Sequence, residues 1–225
     1  MAATTRVDEA YQQLRRAILN GEYEPGSRLN SVQLQGEYEL STGVLREVLT
    51  RLTGDGFVTA QPQRGFRVLE LSAASIEQLT EVLILLETTL IRQAIEQGDL
   101  DYESDLTAAH YRLANTPHDD ESGRTSEAWR AAHTEFHRRL LAGASNERLK
   151  VIAASQRDQG EIYRSWSISV GGDLHRNAAS EHAELVEAVL EHDPDRASVA
   201  IQQHAERSRD FLLAVTDKPL PESVS

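Results

Sequence analysis

At 225 residues the chain has room for one large domain or two small ones, each with its own core. It contains no cysteine, which excludes disulfides and thiolate metal ligands, and no apolar run approaches the roughly 18 residues of a membrane-spanning helix. The net charge of −13 argues against a nucleic-acid binder until it is divided along the chain: residues 1–71 carry 8 Arg against 9 Asp and Glu, and the acidity lies in the remainder.

The opening "MAATTRVDEAYQQLRR" lacks the apolar core of a secretory leader, so the cytosol is the expected setting. Val7, Tyr11, Leu14 and Ile18 recur at helical spacing and predict a helix from Arg6 to Asn20, with Gly21 at the C′ position. "YEPGSRL" reads as a turn into a short extended piece. Ser31 is expected to cap a short helix carrying Leu34 and Tyr38, and Ser41 to cap the next, where Val44, Leu45, Val48, Leu49 and Leu52 form an inward stripe. "GFVTAQPQRGFRVLEL" then reads as two strands, Gly56–Ala60 and Phe66–Leu69, around a turn with Pro62 and Gly65. Three helices and a hairpin in about 70 residues outline a winged helix-turn-helix.

Past "LELSAAS" the pattern is helical throughout, with helices expected near 75–98, 100–115, 126–143, 146–169, 174–192 and 194–215. Asp193 is placed to cap the last, with Pro194 at its first position, and Ser145 or Asn146 separates the third and fourth. "ANTPHDDESGRTS" reads as a loop and "TDKPLPESVS" as a frayed tail. The fold expected is mainly α: a winged helix-turn-helix at 1–71, an antiparallel bundle of six or seven helices at 72–218, and a flexible tail at 219–225.

In "STGVLREVLTRL" the residues off the apolar stripe are Thr42, Gly43, Arg46, Glu47, Thr50 and Arg51. A helix entering the major groove needs one face fixed to a core and the other presenting short polar groups and an arginine. Ser41 and Thr42 can meet phosphate at the helix N-terminus, and Arg46 can reach a guanine edge. Arg64 and Gly65 stand at the hairpin tip, where a minor groove or backbone is within reach. Ordered over about 55 residues, Leu14, Ile18, Gly21, Pro25, Gly26, Leu29, Leu34, Ser41, Val44, Leu45, Arg46, Glu47, Leu49, Leu52, Gly56, Val58, Arg64 and Gly65 make this segment resemble the DNA-binding domain of the GntR family of bacterial transcription regulators. The resemblance implies that Arg46 contacts a base and that the Arg64–Gly65 wing touches DNA beside it. It also marks a departure, because the family usually has arginine where this chain has Thr42.

"RAAHTEFHRRLLAGASNERL" places His133 and His137 one turn apart, on the face of Trp129, Phe136, Leu140 and Leu141. His182 lies in line with Leu185, Val186, Val189 and Leu190, and His204 with Ala197, Ile201, Phe211 and Leu212. Three helices thus each send imidazole inward, which suits a shared metal ion. His110 is inward too, beside Leu106 and Leu113, whereas His118, His175 and His192 fall in loops or at helix ends, where solvation is the default. "EFHRRLLAGASNERL" and "EHAELVEAVLEHDPDRASVAIQQH" resemble the C-terminal FCD effector-binding domain of the FadR subgroup of GntR regulators. The resemblance implies a divalent metal held by His137, His182 and His204, with His133 in the family's aspartate position and Leu83 where an effector-clamping arginine is common. Abundant imidazole favours zinc or nickel.

On the fourth helix of this part, Leu149, Ile152, Ala153, Gly160 and Tyr163 mark the inward side, with Gln156 and Arg157 on or beside it as effector contacts. The function expected is a sequence-specific regulator, a repressor and a homodimer, which binds double-stranded operator DNA and responds to a small carboxylate beside the metal. Two alternatives stay open at this point. One is a metal-dependent enzyme, opposed by the lack of a carboxylate paired with the histidines, since Glu135 points off their face. The other is a regulator for which the metal itself is the signal.

Overall fold

The computed structural model describes residues 5–70, 72–120, 125–169 and 178–216. Expectations for Leu71, residues 121–124 of the loop, residues 174–177 at the start of the fifth bundle helix, His175 and the tail 219–225 lie outside the described residues.

The N-terminal module begins with α1 (Arg6–Leu19), which opens in a capping box: the Thr5 hydroxyl accepts from Asp8 N–H and the Asp8 carboxylate accepts from Thr5 N–H. Gly21, at φ +74°, closes it as read, with Gly21 N–H donating to Ile18 and Glu22 N–H to Ala17. After β1 (Arg28–Leu29) comes α2 (Ser31–Glu37). Its cap is Asn30 rather than Ser31, because Asn30 is the last extended residue and its side chain accepts from Val32 and Gln33 N–H; Ser31 is already helical. The Ser41 hydroxyl caps α3 (Thr42–Gly54) as expected, accepting from Val44 N–H at 3.4 Å.

The first strand of the hairpin starts later than read: β2 is Val58–Gln61, paired with β3 (Gly65–Val68). Gly56, at φ +78°, belongs to the end of α3, where its N–H donates to Thr53 and Phe57 N–H donates to Leu52. The short extended piece β1 joins the same antiparallel sheet in the order β1-β3-β2. Leu14, Ile18, Leu34, Leu45, Val48, Leu49, Leu52, Phe57 and Val68 form the core of the module.

Six helices follow: α4 (Ala73–Gln97), α5 (Leu100–Ala114), α6 (Glu127–Leu140), α7 (Glu147–Ser169), α8 (Ala178–Leu190) and α9 (Pro194–Thr216). Asn146 accepts from Leu149 N–H and Asp193 from Arg196 N–H, so both expected helix starts are found. α4 lies along α9, α5 against α6, and α8 against α9, around Leu90, Ile91, Leu106, Phe136, Leu140, Leu185, Val189 and Ile201. Two residues expected inside are not. Ile152 is 48% exposed, being one residue round the helix from the buried line of Ala153, and Leu190, the last residue of α8, is 41% exposed.

One helix of the bundle belongs to both cores. Ile162 of α7 is 1% exposed and sits in the core of the N-terminal module. Beside it, Asp158 accepts from Arg15 at 2.5 Å, and the Gln159 side chain lies over Gly56 so closely that a Cβ there would fall 2.4 Å from its Nε2. Arg15 also covers the Phe57 ring, 5.0 Å from its centroid, and Arg130 of α6 donates to the Asn20 side chain.

Candidate functional site

The i, i+4 spacing on α6 stacks His133 and His137 one above the other, and α8 and α9 bring His182 and His204 against them. One ligand nitrogen from each of the four lies within 4.8 Å of the others, and all four residues are buried. The Nε2 atoms of His133 and His137 are 3.2 Å apart. Burial holds His133 and His137 well below the usual imidazole pKa, aided by the nearby guanidinium of Arg164 for the former and of Arg157 for the latter; His182 is pushed down to about 2, also chiefly by burial. These three rings are therefore neutral at pH 7, and their lone pairs are available without loss of a proton.

The donor set fits a cation. Nδ1 of His137 and Nε2 of His182 are buried with no hydrogen-bond partner among the described residues. An unmet buried polar atom costs about 1–3 kcal/mol, and coordination removes that cost for whichever of these nitrogens binds the ion. Supporting groups orient the rings. Glu181 accepts from His204 Nδ1 at 2.8 Å, which turns the other nitrogen of that ring towards the cluster. Trp129 stacks on His133 at 4.8 Å, and Arg164 donates to His133 Nδ1 at 3.1 Å.

A cavity of about 130 Å³ opens beside His133 and His204, lined also by Arg157, Gly160 and Arg164 of α7 and by apolar residues of α4 and α9. Arg157 reaches it, but its guanidinium is already gripped on two atoms by Glu87, with Nη2 to Oε2 at 2.6 Å. Glu87 is 1% exposed, and burial pushes its carboxyl pKa up against the pull of Arg157. Gln156, expected with Arg157 as an effector contact, does not line the cavity, because it lies about 100° round the helix from Arg157. His110 is half-buried against the Phe136 ring, away from the cluster.

Three participants escaped the sequence. Arg164 follows Arg157 by seven residues and so shares its face, a spacing that carries the signal. Glu181 supplies the carboxylate partner that the histidines were expected to lack, and it comes from α8 onto a histidine of α9. His118 is exposed in its loop as expected, but it also lines the cavity, with its ring edge on Trp129 and its Nδ1 2.5 Å from Asp119. The acid that the sequence did consider, Glu135, points off the cluster as read and pairs with Arg138 and Arg139.

At the other end of the molecule, α3 presents Thr42, Gly43, Arg46, Glu47 and Thr50 to the outside, with open space around Gly43. Arg46 is exposed on the rim of a shallow depression that Gly43, Glu47, Thr50 and Arg51 also line. Arg51 is held against α1, 2.8 Å from Asp8 and 4.0 Å over the Tyr11 ring. Thr42 donates to Gln35 of α2 at 3.1 Å, which ties the two helices of the turn together. Arg64 is exposed in the turn before Gly65, whose φ is +86°.

Comparison with known proteins agrees on both ends. Residues 6–68 match the family described as "Bacterial regulatory proteins, gntR family", and residues 78–207 match the FCD domain. The HTH-type transcriptional repressor GlaR of Escherichia coli is 29% identical over 203 residues, covering 87% of this chain and 90% of that protein. The HTH-type transcriptional regulator BphR of Paraburkholderia xenovorans is 29% identical over 206 residues, covering 90% of this chain and 83% of that protein. Among solved structures, E. coli McbR/YncC superposes with a TM-score of 0.77 at 15% identity, over 96% of this chain and 100% of that one. A putative GntR transcriptional regulator from Rhodococcus sp. RHA1 does so at 0.74 and 19%, over 93% and 98%. At these identities the structures speak for the fold alone.

Proposed function

The chain belongs to the gntR family of bacterial regulatory proteins and carries an FCD domain, which makes it a transcriptional regulator, and on that premise we propose a ligand-controlled repressor whose metal-bearing cavity governs the DNA-reading module. Family and relatives are regulators, not enzymes, which sets aside the metalloenzyme alternative. No helix among the described residues is long and apolar enough to cross a membrane. A cytosolic setting suits such a regulator.

The observation that carries the reading is the double membership of α7. Its residues Arg157, Gly160 and Arg164 line the cavity, while Asp158, Gln159 and Ile162 pack on the N-terminal module. Any ligand that shifts α7 therefore acts on the reading head through packed side chains, with no flexible linker between. An effector can bias the head only by as much as it prefers one placement of α7 to another.

In this reading His133, His137, His182 and His204 hold a divalent ion, zinc or nickel by their chemistry. The ion supplies a full positive charge that four neutral imidazoles leave uncompensated, and hence attraction for a small carboxylate in the cavity. Arg164 and Arg157 flank that place, with Arg157 shared with Glu87. On the DNA, Arg46 reads a base edge, Ser41, Thr42, Gly43 and Arg51 adjoin the backbone, and Arg64 with Gly65 forms the wing contact. A homodimer, as is typical of the family, presents two such heads to half-sites about one helical turn apart. Repression is favoured by the likeness to GlaR, which is named a repressor.

The test is fluorescence anisotropy on the upstream DNA recovered with the protein by genomic footprinting, at one fixed salt concentration. Arg46→Ala is expected to reduce affinity for that site by about 10- to 100-fold while leaving affinity for random duplex nearly unchanged. Equal losses on both duplexes would remove Arg46 from base recognition.

A further inference from the structure

The lining of the cavity says which kind of carboxylate it takes. This inference rests on the metal-and-anion reading above and goes further into the same site. His133 and His204 bring the metal-binding rings into the lining, with Arg164 3.1 Å from His133 and the Arg157–Glu87 pair also in the wall. Among the described residues most of the remaining lining is carbon, from Ile76, Leu79 and Leu83 of α4, Phe211 and Leu212 of α9 and the Trp129 ring, with Arg209 two residues before Phe211 as the charged exception.

The remaining charged and polar lining groups are already matched. Arg157 is gripped by Glu87, Arg209 by Asp210 at 2.8 Å, and Arg164 lies 3.1 Å from Glu161. The Thr80 hydroxyl donates to the Ile76 carbonyl and the Ser208 hydroxyl to the His204 carbonyl, each within its own helix. His118 is taken up by Asp119. With each arginine of the lining beside its own carboxylate, the surplus positive charge is what a cation brings to the four imidazoles, and it is confined to one end. A second carboxylate would have to lie against Leu79, Leu83 and Phe211, and burying a charge against carbon is costly when no partner accompanies it.

We infer that the effector is a monocarboxylic acid with a compact apolar body, its carboxylate towards the histidines and its body against α4 and α9. The size agrees: about 130 Å³ is close to the roughly 150 Å³ apolar cavity that accepts benzene. Hydroxylated di- and tricarboxylic acids are the class that this lining rejects.

Isothermal titration calorimetry on the zinc-loaded full chain tests this with benzoate, 4-methylpentanoate, succinate and benzyl alcohol as probes. The expected result is that one or both monoacids bind at least tenfold tighter than succinate, while benzyl alcohol, which lacks the charge, does not bind measurably. A Leu83→Arg variant, which brings a cation to the carbon end, is expected to narrow or reverse the preference for monoacid over succinate. Should that variant fail to fold, Leu83→Lys makes the same comparison. Succinate binding as tightly as the monoacids to the unaltered chain overturns the inference and leaves the anion site standing. If benzyl alcohol binds as well as benzoate, or if none of the acids binds and operator affinity follows zinc alone, the carboxylate-effector reading falls and the inference falls with it.

Discussion

Replacing Ile162 by alanine should uncouple the two halves of the molecule. Its side chain leaves α7, which packs on α1, and ends in the core of the N-terminal module, 1% exposed. The change deletes three carbons from a closed site, and losses of this kind cost about 2–5 kcal/mol, part of it for the cavity left behind. The cost falls on the module and its seat on α7, because the bundle core is built from other residues. For a unit of 60–100 residues, each kcal/mol moves the melting temperature by about 4–8 °C, so a central loss of about 3 kcal/mol predicts a fall on the order of 12–24 °C for the module. Trp129 belongs to α6 and stacks on His133 inside the bundle. With Trp166 replaced by Phe in every chain compared, tryptophan fluorescence therefore reports the bundle, and circular dichroism at 222 nm reports both halves. In the unaltered chain the two melting curves should coincide, and in Ile162→Ala the dichroism curve should begin to fall well before the fluorescence curve. Ile162→Val, at about 0.5–1.5 kcal/mol, should do the same by a few degrees. Coincident curves in Ile162→Ala, shifted by less than about 4 °C, would refute the claim that this residue joins the two cores.

Gly56→Ala adds a Cβ at φ +78° that meets the Gln159 amide, so it should cost about 1 kcal/mol for the backbone plus a steric part; Gln159→Ala should return only the steric part in a double-mutant cycle read by urea denaturation. Glu87→Gln removes the buried charge that neutralises part-buried Arg157, and breaking such a pair costs up to about 3–5 kcal/mol; chemical denaturation showing less than 1 kcal/mol would mean that Arg157 turns out to solvent instead. Zinc at about 100 times its dissociation constant should stabilise the folded chain by roughly 2.7 kcal/mol, and the melting temperature should drop on adding a chelator. His182→Ala should abolish that response, and an unchanged zinc-induced shift in the variant would take His182 out of the ligand set.

Much of both ends was legible from local periodicity. Ser41 as the cap of α3, the inward stripe from Leu45 to Leu52 with Arg46 left outside, and Asp193 before Pro194 all follow from contacts within a few residues, which spacing alone encodes. The convergence of His133, His137, His182 and His204 was legible for the same reason: each lies on the apolar stripe of its own helix, and apolar stripes meet in a bundle. Where local signals competed, the outcome differed. Asn30 and Ser31 are both good caps, and the choice between them fell to the residue that the β1 turn leaves extended.

Only the packed structure decided the rest. Arg157 and Glu87 are 70 residues apart, Glu181 and His204 are 23, and Arg15 and Asp158 are 143. Each pairing depends on how two helices are rotated and offset against each other, and that is set by the summed fit of whole faces, which no short stretch specifies. The two-sided role of α7 is of this kind. Its sequence marks one inward stripe, but Ile162 became buried because the N-terminal module docks on the opposite flank of the helix, and a surface acquires a second core only when a second body closes over it.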